Sequence, residues 1–199
     1  MLNRSLLLYV AMSVAVFSAA CGYGFRSRGN TWEREQINKL YIAPLVNNTL
    51  RPGVEVPFTS AILKEFSQGG RIQVTSSRES ADAVLEGAVE QVDSSVFSTT
   101  TADQVSKNLP LGQGLDSTFV VAQEYSAKAQ ISFSLVRLKD GKGLWNQGVS
   151  SSRLYPAANQ GGDIGNTGVL INNSRYTMAL NELAKQLAVE VHDLFFESF

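Results

Sequence analysis

The chain is poor in the side chains on which most enzymes and metal sites depend. Its 199 residues include one histidine, His192, and one cysteine, Cys21. A typical zinc site takes several cysteine or histidine ligands, and an activated nucleophile needs a neighbouring base, most often histidine. These shortages argue against an enzyme, and they predict that the chain binds no metal and no cofactor.

Neither positive nor negative charge predominates in the chain. Lys and Arg total 17 and Asp and Glu total 18, which gives a formal net charge of −1. Nucleic-acid binding needs a basic patch, and charge-driven membrane binding needs a basic run. The composition therefore excludes nucleic acid as a partner, and any membrane attachment has to come from another source. With 44% hydrophobic residues, the chain is expected to fold.

The remaining polar motifs do not form a catalytic set. Glu86 and Glu90 share one face of a predicted strand, where two carboxylates are usually solvated. Asp82 is typical of a turn or of the start of a strand. The glycine-rich residues 161–165 lack the Lys-Ser or Lys-Thr of a phosphate-binding loop, so we interpret them as a loop. His192 lies in the last turns of a predicted helix, where it can cap carbonyl groups or face solvent.

The N-terminus has the order of an export signal. Arg4 supplies a positive start, residues 6–17 an apolar centre, and small residues lead to Cys21. This order predicts a lipoprotein signal peptide over residues 1–20, with Cys21 as the lipid-bearing first residue of the mature chain.

Two alternatives to lipidation stay open. Ser18 stands where lipoprotein signals usually carry an aliphatic residue, so an ordinary cut after Ala20 could leave Cys21 as a free thiol. The apolar run could instead persist as a membrane helix, although residues 1–20 are short for a span and contain Arg4. Lipidation is favoured because a lone cysteine in an exported protein has no internal disulfide partner.

After the cysteine, glycine, arginine and serine predict a flexible tether over residues 21–36. A single domain is predicted over residues 37–199. It opens with a strand at 39–46 containing Pro44, a helix at 56–67 and a short strand at 72–76. Phe58, Ile62 and Phe66 recur every four residues and predict the buried face of the helix.

The middle of the chain alternates with the period of a sheet. Strands are predicted over residues 83–96, 124–138 and 144–155, the last two joined by a turn at 140–143. Alternation in the second of these predicts one buried face and one wet face. The predicted buried residues are Tyr125, Ala127, Ala129, Ile131, Phe133 and Leu135. The predicted wet face carries Lys128 and the serines Ser126, Ser132, Ser134, Ser150 and Ser152.

A long amphipathic helix is predicted over residues 173–197, and two long polar connections over residues 98–122 and 156–171. Together these elements predict an α+β fold. It is a two-layer sandwich, with a mostly antiparallel sheet and two helices packed on one face. The wet face and the two connections are the candidate contact surfaces.

Several segments resemble one known family. Residues 21–26, Cys-Gly-Tyr-Gly-Phe-Arg, resemble the mature start of the LptE lipoproteins. The strand ending in Val-Asn-Asn-Thr (46–49), the Pro-Gly-Val-Glu that follows (52–55) and the Ala-Asp start of a long strand at residues 81–87 are also similar. The order of elements agrees from Cys21 to the final helix.

The resemblance implies a non-catalytic outer-membrane lipoprotein, held on the periplasmic side by its lipid anchor. Such a protein sits inside the large β-barrel LptD as a plug, assists its assembly and helps to move lipopolysaccharide to the outer leaflet. Gly22, rather than Asp, after Cys21 is similar to lipoproteins sent to the outer membrane. Basic residues of the family are thought to contact lipopolysaccharide, but which residues do so here is unknown. Candidates by side-chain type alone are Lys107, Lys128, Arg137 and Arg153.

Two other classes of protein stay open. Residues 44–49, Pro-Leu-Val-Asn-Asn-Thr, also resemble small periplasmic lipoproteins such as LpoB and the CsgG secretion-channel group. That resemblance implies an activator of a cell-wall synthase or a subunit of a secretion pore. A lipid-anchored hydrolase is the third class, and the missing nucleophile and base argue against it.

Overall fold

The computed structural model describes residues 35–101, 120–158 and 166–198. A 3₁₀ turn at Arg78–Ser80 separates the first half of the fold from the three long strands. In chain order the helices and strands are β1 (Lys39–Ile42), β2 (Val46–Asn47), α1 (Glu55–Gln68), β3 (Gln73–Thr75), β4 (Ala83–Thr101), β5 (Val120–Arg137), β6 (Gly143–Pro156) and α2 (Asn166–Glu197).

In the described residues the strands form one sheet in the order β3-β1-β4-β5-β6, and β2 also pairs with β4. The long strands β4, β5 and β6 form an antiparallel meander. The pairings of β1 with β3 and β4, and of β2 with β4, are parallel. The predicted α+β class is confirmed. The sheet is mixed because the helix α1 connects β1 to β3, and a crossover connection of this kind makes the two strands parallel.

The core lies between the sheet and the two helices. Side chains that alternate along β5, including Ala127, Ile131 and Phe133, are buried as predicted. Both helices pack against these β5 side chains. Helix α1 contributes Phe58, Ile62 and Phe66, and helix α2 contributes Leu183, Leu187 and Val191. Burial of each such large apolar side chain stabilises the folded state by about 1.5–3 kcal/mol relative to leaving it exposed. In the described part of the chain, no helix is long and apolar enough to cross a membrane.

Several predicted boundaries were wrong. The predicted strand at 39–46 is interrupted around Pro44 and gives β1 and β2. The predicted connection at 98–122 is shorter, because Thr99 pairs with Ala122 and Thr101 with Val120. The connection at 156–171 is also shorter, since α2 begins at Asn166. Thr-rich and Asn-rich stretches have the composition of loops, and pairing with β5 is what makes residues 99–101 regular.

One glycine allows two strands and a loop to pack closely. A Cβ atom on Gly87 of β4 would lie 2.7 Å from Leu45 Cδ2 and 2.8 Å from both Phe133 Cδ1 and the carbonyl oxygen of Ser132. One of these neighbours is backbone, so the crowding cannot be relieved by a rotamer change alone. Gly87 is therefore required by packing.

We expect Gly87→Ala to lower the free energy of unfolding by about 1–3 kcal/mol through overpacking. The matched control is Gly148→Ala in β6, where a Cβ atom would meet nothing within 4 Å. Urea unfolding of both variants measures the difference. Equal stability of the two variants would contradict the close packing at Gly87.

Candidate interaction surface

The sheet face that points away from the helices carries small and polar side chains. On β5 these residues alternate with the buried ones, and the strand register brings residues of β4 and β6 alongside them. This surface, called the open face below, corresponds to the predicted wet face. Its members are Glu86, Ala88, Gln91, Asp93, Lys128, Gln130, Ser132, Ser134, Asn146, Gly148, Ser150 and Ser152.

A shallow depression of about 280 Å³ lies at the centre of the open face. Lys128 stands directly across from Asp93 of β4 and Ser152 of β6. Opposite charges at facing positions favour a strand pair, and the Asp93 carboxylate also accepts a hydrogen bond from the Gln91 side-chain amide. The depression therefore offers hydrogen-bond donors and acceptors without net charge. Its other polar residues are Gln91, Gln130, Ser150 and Ser151.

Two carboxylates of the open-face side of β4, those of Glu86 and Glu90, bind neighbouring residues of the fold. Glu90 accepts hydrogen bonds from Asn48 Nδ2 at 2.9 Å and from Ser132 Oγ at 2.6 Å. These bonds, the one from Asn48 first, lower the pKa of Glu90. Glu86 forms a salt bridge with Arg78 at 3.0 Å. Each acid thus has its own partner, and the two do not form a catalytic pair.

The serines of the open face differ in accessibility. Ser150 and Ser152 are exposed and Ser132 and Ser134 are half-buried, but Ser126 is only 5% exposed. The prediction of Ser126 as a wet-face residue was therefore wrong. The strand register places Ser126 between Ser95 of β4 and Leu154 of β6.

The structure does not bring the basic candidates together. Lys128 is on the open face, while Arg153 faces the helix side of β6, opposite Ala127. Arg137 is held by Glu35 and Asp140 at the end of the sheet. Lys107 and the lipidation candidate Cys21 lie outside the described residues. No described cluster of these cations indicates a lipopolysaccharide site.

His192 is a packing residue, so the prediction that it caps carbonyls or faces solvent was wrong. Only 8% of it is exposed, and its ring packs against Phe66 and Phe196 at centroid distances of 5.3 and 4.7 Å. A Cβ atom on Gly69 would collide with the imidazole. The glycine that ends α1 therefore lets the helix end approach α2. In the described ranges, no group of three potential metal ligands occurs.

A second depression, of about 610 Å³, lies between α2 and the turn before α1. There the Arg51 guanidinium stacks over the Tyr176 ring, 4.3 Å from its centroid. Burial raises the pKa of Tyr176, whose hydroxyl has no hydrogen-bond partner among the described residues. Sequence analysis did not predict this contact, because two residues so far apart in the chain leave no local pattern.

The described residues form an α+β scaffold with a polar sheet face that no described helix or strand covers. The family model described as "LptE: Lipopolysaccharide-assembly" matches residues 37–193. The chain therefore belongs to the LptE family, which confirms the resemblance found in the sequence. Membership places it in the class of outer-membrane lipoproteins of lipopolysaccharide assembly.

Several solved structures are similar to the chain at low sequence identity. A Xanthomonas campestris protein is 12% identical with a TM-score of 0.50, covering 80% of this chain and 84% of that one. Rare lipoprotein B from Shewanella oneidensis is 13% identical with a TM-score of 0.43, covering 81% and 96%. The PelC dodecamer from Paraburkholderia phytofirmans is 16% identical with a TM-score of 0.41, covering 77% and 84%. No curated protein sequence matches the chain.

The ion pair at Arg137 predicts a pH dependence of stability. Hydrogen bonds from Arg137 lower the pKa of Asp140 from 3.8 to about 2. Because the pKa is lower in the folded state, this pair stabilises the fold above about pH 4, and the stabilisation is lost as the pH falls through about 2. Asp140→Asn should therefore lower the melting temperature at pH 7, and the difference from the parent should disappear between pH 4 and pH 2.

Thermal melts followed by circular dichroism across this pH range measure the effect. Glu79→Gln is the control, since Glu79 is an exposed carboxylate outside any described ion pair. A constant difference between Asp140→Asn and the parent down to pH 2 would contradict the assignment.

Proposed function

We propose that the chain is a lipid-anchored, non-enzymatic assembly factor of the outer membrane. It occupies the lumen of the β-barrel LptD, assists the assembly of that barrel and helps to deliver lipopolysaccharide to the outer leaflet. One observation carries the proposal, namely that the LptE family model matches residues 37–193, almost the whole folded part of the chain.

The open face has the chemistry that a plug requires. The lumen of a large outer-membrane barrel is polar, so a protein inside it must present hydrogen-bonding groups. Gly148, Ser150 and Ser152 have small side chains and permit close approach of a barrel wall. Lys128 and Asp93 occupy facing positions, so this surface presents one charge of each sign to a partner.

The anchor completes the proposal. Residues 1–20 act as the lipoprotein signal peptide, Cys21 carries the acyl chains and residues 21–36 form the tether to the single domain, residues 37–199. Fully extended, these 16 residues span at most about 58 Å. That reach lets the domain enter a barrel in the same membrane to which it is anchored.

Affinity purification of the tagged chain from detergent-solubilised outer membranes tests the partner. We expect LptD to be recovered with the parent chain. Gln130→Trp places a bulky side chain on the open face and should reduce the recovery several-fold. The same change at the exposed Gln68 of α1 is the control and should have little effect. Recovery of a peptidoglycan synthase, or of a homo-oligomeric ring without LptD, would overturn the proposed function.

A pair of variants tests the anchor. We expect Cys21→Ala to release the protein into the soluble periplasm and to abolish labelling by radioactive palmitate. Gly22→Asp should keep the lipid label and shift the protein from the outer to the inner membrane fraction. Membrane fractionation reports both outcomes. A Cys21→Ala variant that still carries lipid label would exclude Cys21 as the lipidation site.

A further inference from the structure

The outer edge of β6 presents unpaired backbone groups. From Trp145 to Pro156 the strand pairs with β5 without a register shift, and the Ala157 N–H extends this ladder to the Gln123 carbonyl at 2.9 Å. Backbone groups of alternate residues point towards the partner in an antiparallel pair. Odd-numbered residues of β6 therefore bond to β5, and even-numbered residues direct their N–H and C=O groups outwards.

Among the described residues, these outward groups have no backbone partner. The Gly148 carbonyl accepts only the side-chain amide of its neighbour Gln147, at 3.3 Å. The outward N–H groups of Ser150 and Ser152 are not donated to any described carbonyl. They lie on a strand whose open-face side chains are exposed. A neighbouring strand could therefore approach this edge.

Between Trp145 and Leu154, β6 has few of the features that usually protect a sheet edge. Natural edge strands are kept short, are charged, or carry bulges and prolines. At the opposite edge of the sheet, β3 has three residues. The far half of β4 is broken by register shifts at residues 89/91 and 96/98. Between Trp145 and Leu154, β6 carries one charged residue, Arg153, and no proline.

We propose that β6 accepts an extended segment of the partner protein as an added strand, and that this segment carries a carboxylate opposite Arg153. The inference rests on the proposed function, because it specifies how the assembly factor contacts its barrel partner. Main-chain hydrogen bonds hold a segment added in this way, and pockets or charges at alternate positions select it.

Arg153 determines the chemistry of the added segment. It is an odd-numbered residue, so it occupies a non-hydrogen-bonded position in the new ladder, where facing side chains lie closest together. An acidic neighbour is favourable at such a position. β6 itself contains no Asp or Glu, so a second copy of the strand cannot supply this neighbour. The added strand would also extend the open face, since Gly148, Ser150 and Ser152 lie beside it.

Proline substitution at the edge tests the proposal. Ser150→Pro removes one outward N–H, and edge strands tolerate proline where the N–H faces solvent. We expect this variant to lower the recovery of LptD per tagged molecule at least fivefold. Ser150→Ala keeps both the N–H and the small side chain, so it should lower the recovery much less than Ser150→Pro does. Arg153→Glu should lower the recovery about threefold or more, while Lys139→Glu in the exposed turn should not.

Circular dichroism melts check that each variant is folded. If Ser150→Pro unfolds, a photo-crosslinking residue at position 150 of the otherwise unchanged chain replaces it, and it should label LptD. Parent-like recovery with folded Ser150→Pro, or a failure of that crosslink, overturns strand addition and leaves the proposed function intact. If LptD is absent from the purification of the parent chain, both strand addition and the proposed function are overturned. A purified dimer that Ser150→Pro dissociates assigns the edge to a second copy and also overturns the proposal.

Discussion

The antiparallel pairing of β4 with β5 is the interaction on which the rest of the structure depends. Its register places Leu85 beside Leu135 and Val89 beside Ile131, towards the helices. The same register places Asp93 beside Lys128 on the opposite face. Because side chains alternate, a slip of one residue would turn the core towards solvent and bury the polar face. The hydrophobic core and the open face are therefore two consequences of one pairing.

The irregular positions of β4 preserve this arrangement over a long strand. The register shift between Val89 and Gln91 leaves Glu90 as an extra residue, and its carboxylate binds Asn48 next to β2 and Ser132 on β5. The shift also interrupts β4 beyond its pairing with β2, which makes pairing of that part with another chain less favourable. β6 has no comparable interruption after Trp145, so the sheet has one protected long strand and one accessible edge.

Local periodicity explains why much of the fold could be predicted. The fourfold spacing of Phe58, Ile62 and Phe66 and the alternation along β5 report burial directly, since each side chain's face follows from its position in the repeat. The wrong predictions concern residues whose surroundings depend on distant parts of the chain. The burial of Ser126 departs from the alternation along β5, and the strand ends near Thr101 exist only because they pair with residues near Val120. His192 is buried because α1 ends against it.

The amino-acid sequence by itself determined the α+β class, the alternating strands, the family resemblance and the shortage of reactive side chains, because these depend on composition and on neighbours along the chain. Only the tertiary structure decided that Arg137 is held in ion pairs and that Arg51 stacks on Tyr176. It also decided that β6 is the outermost strand, with its even-numbered backbone groups unpaired in the described residues. These features depend on strand order and on contacts between distant residues, and neither leaves a repeating pattern in the chain.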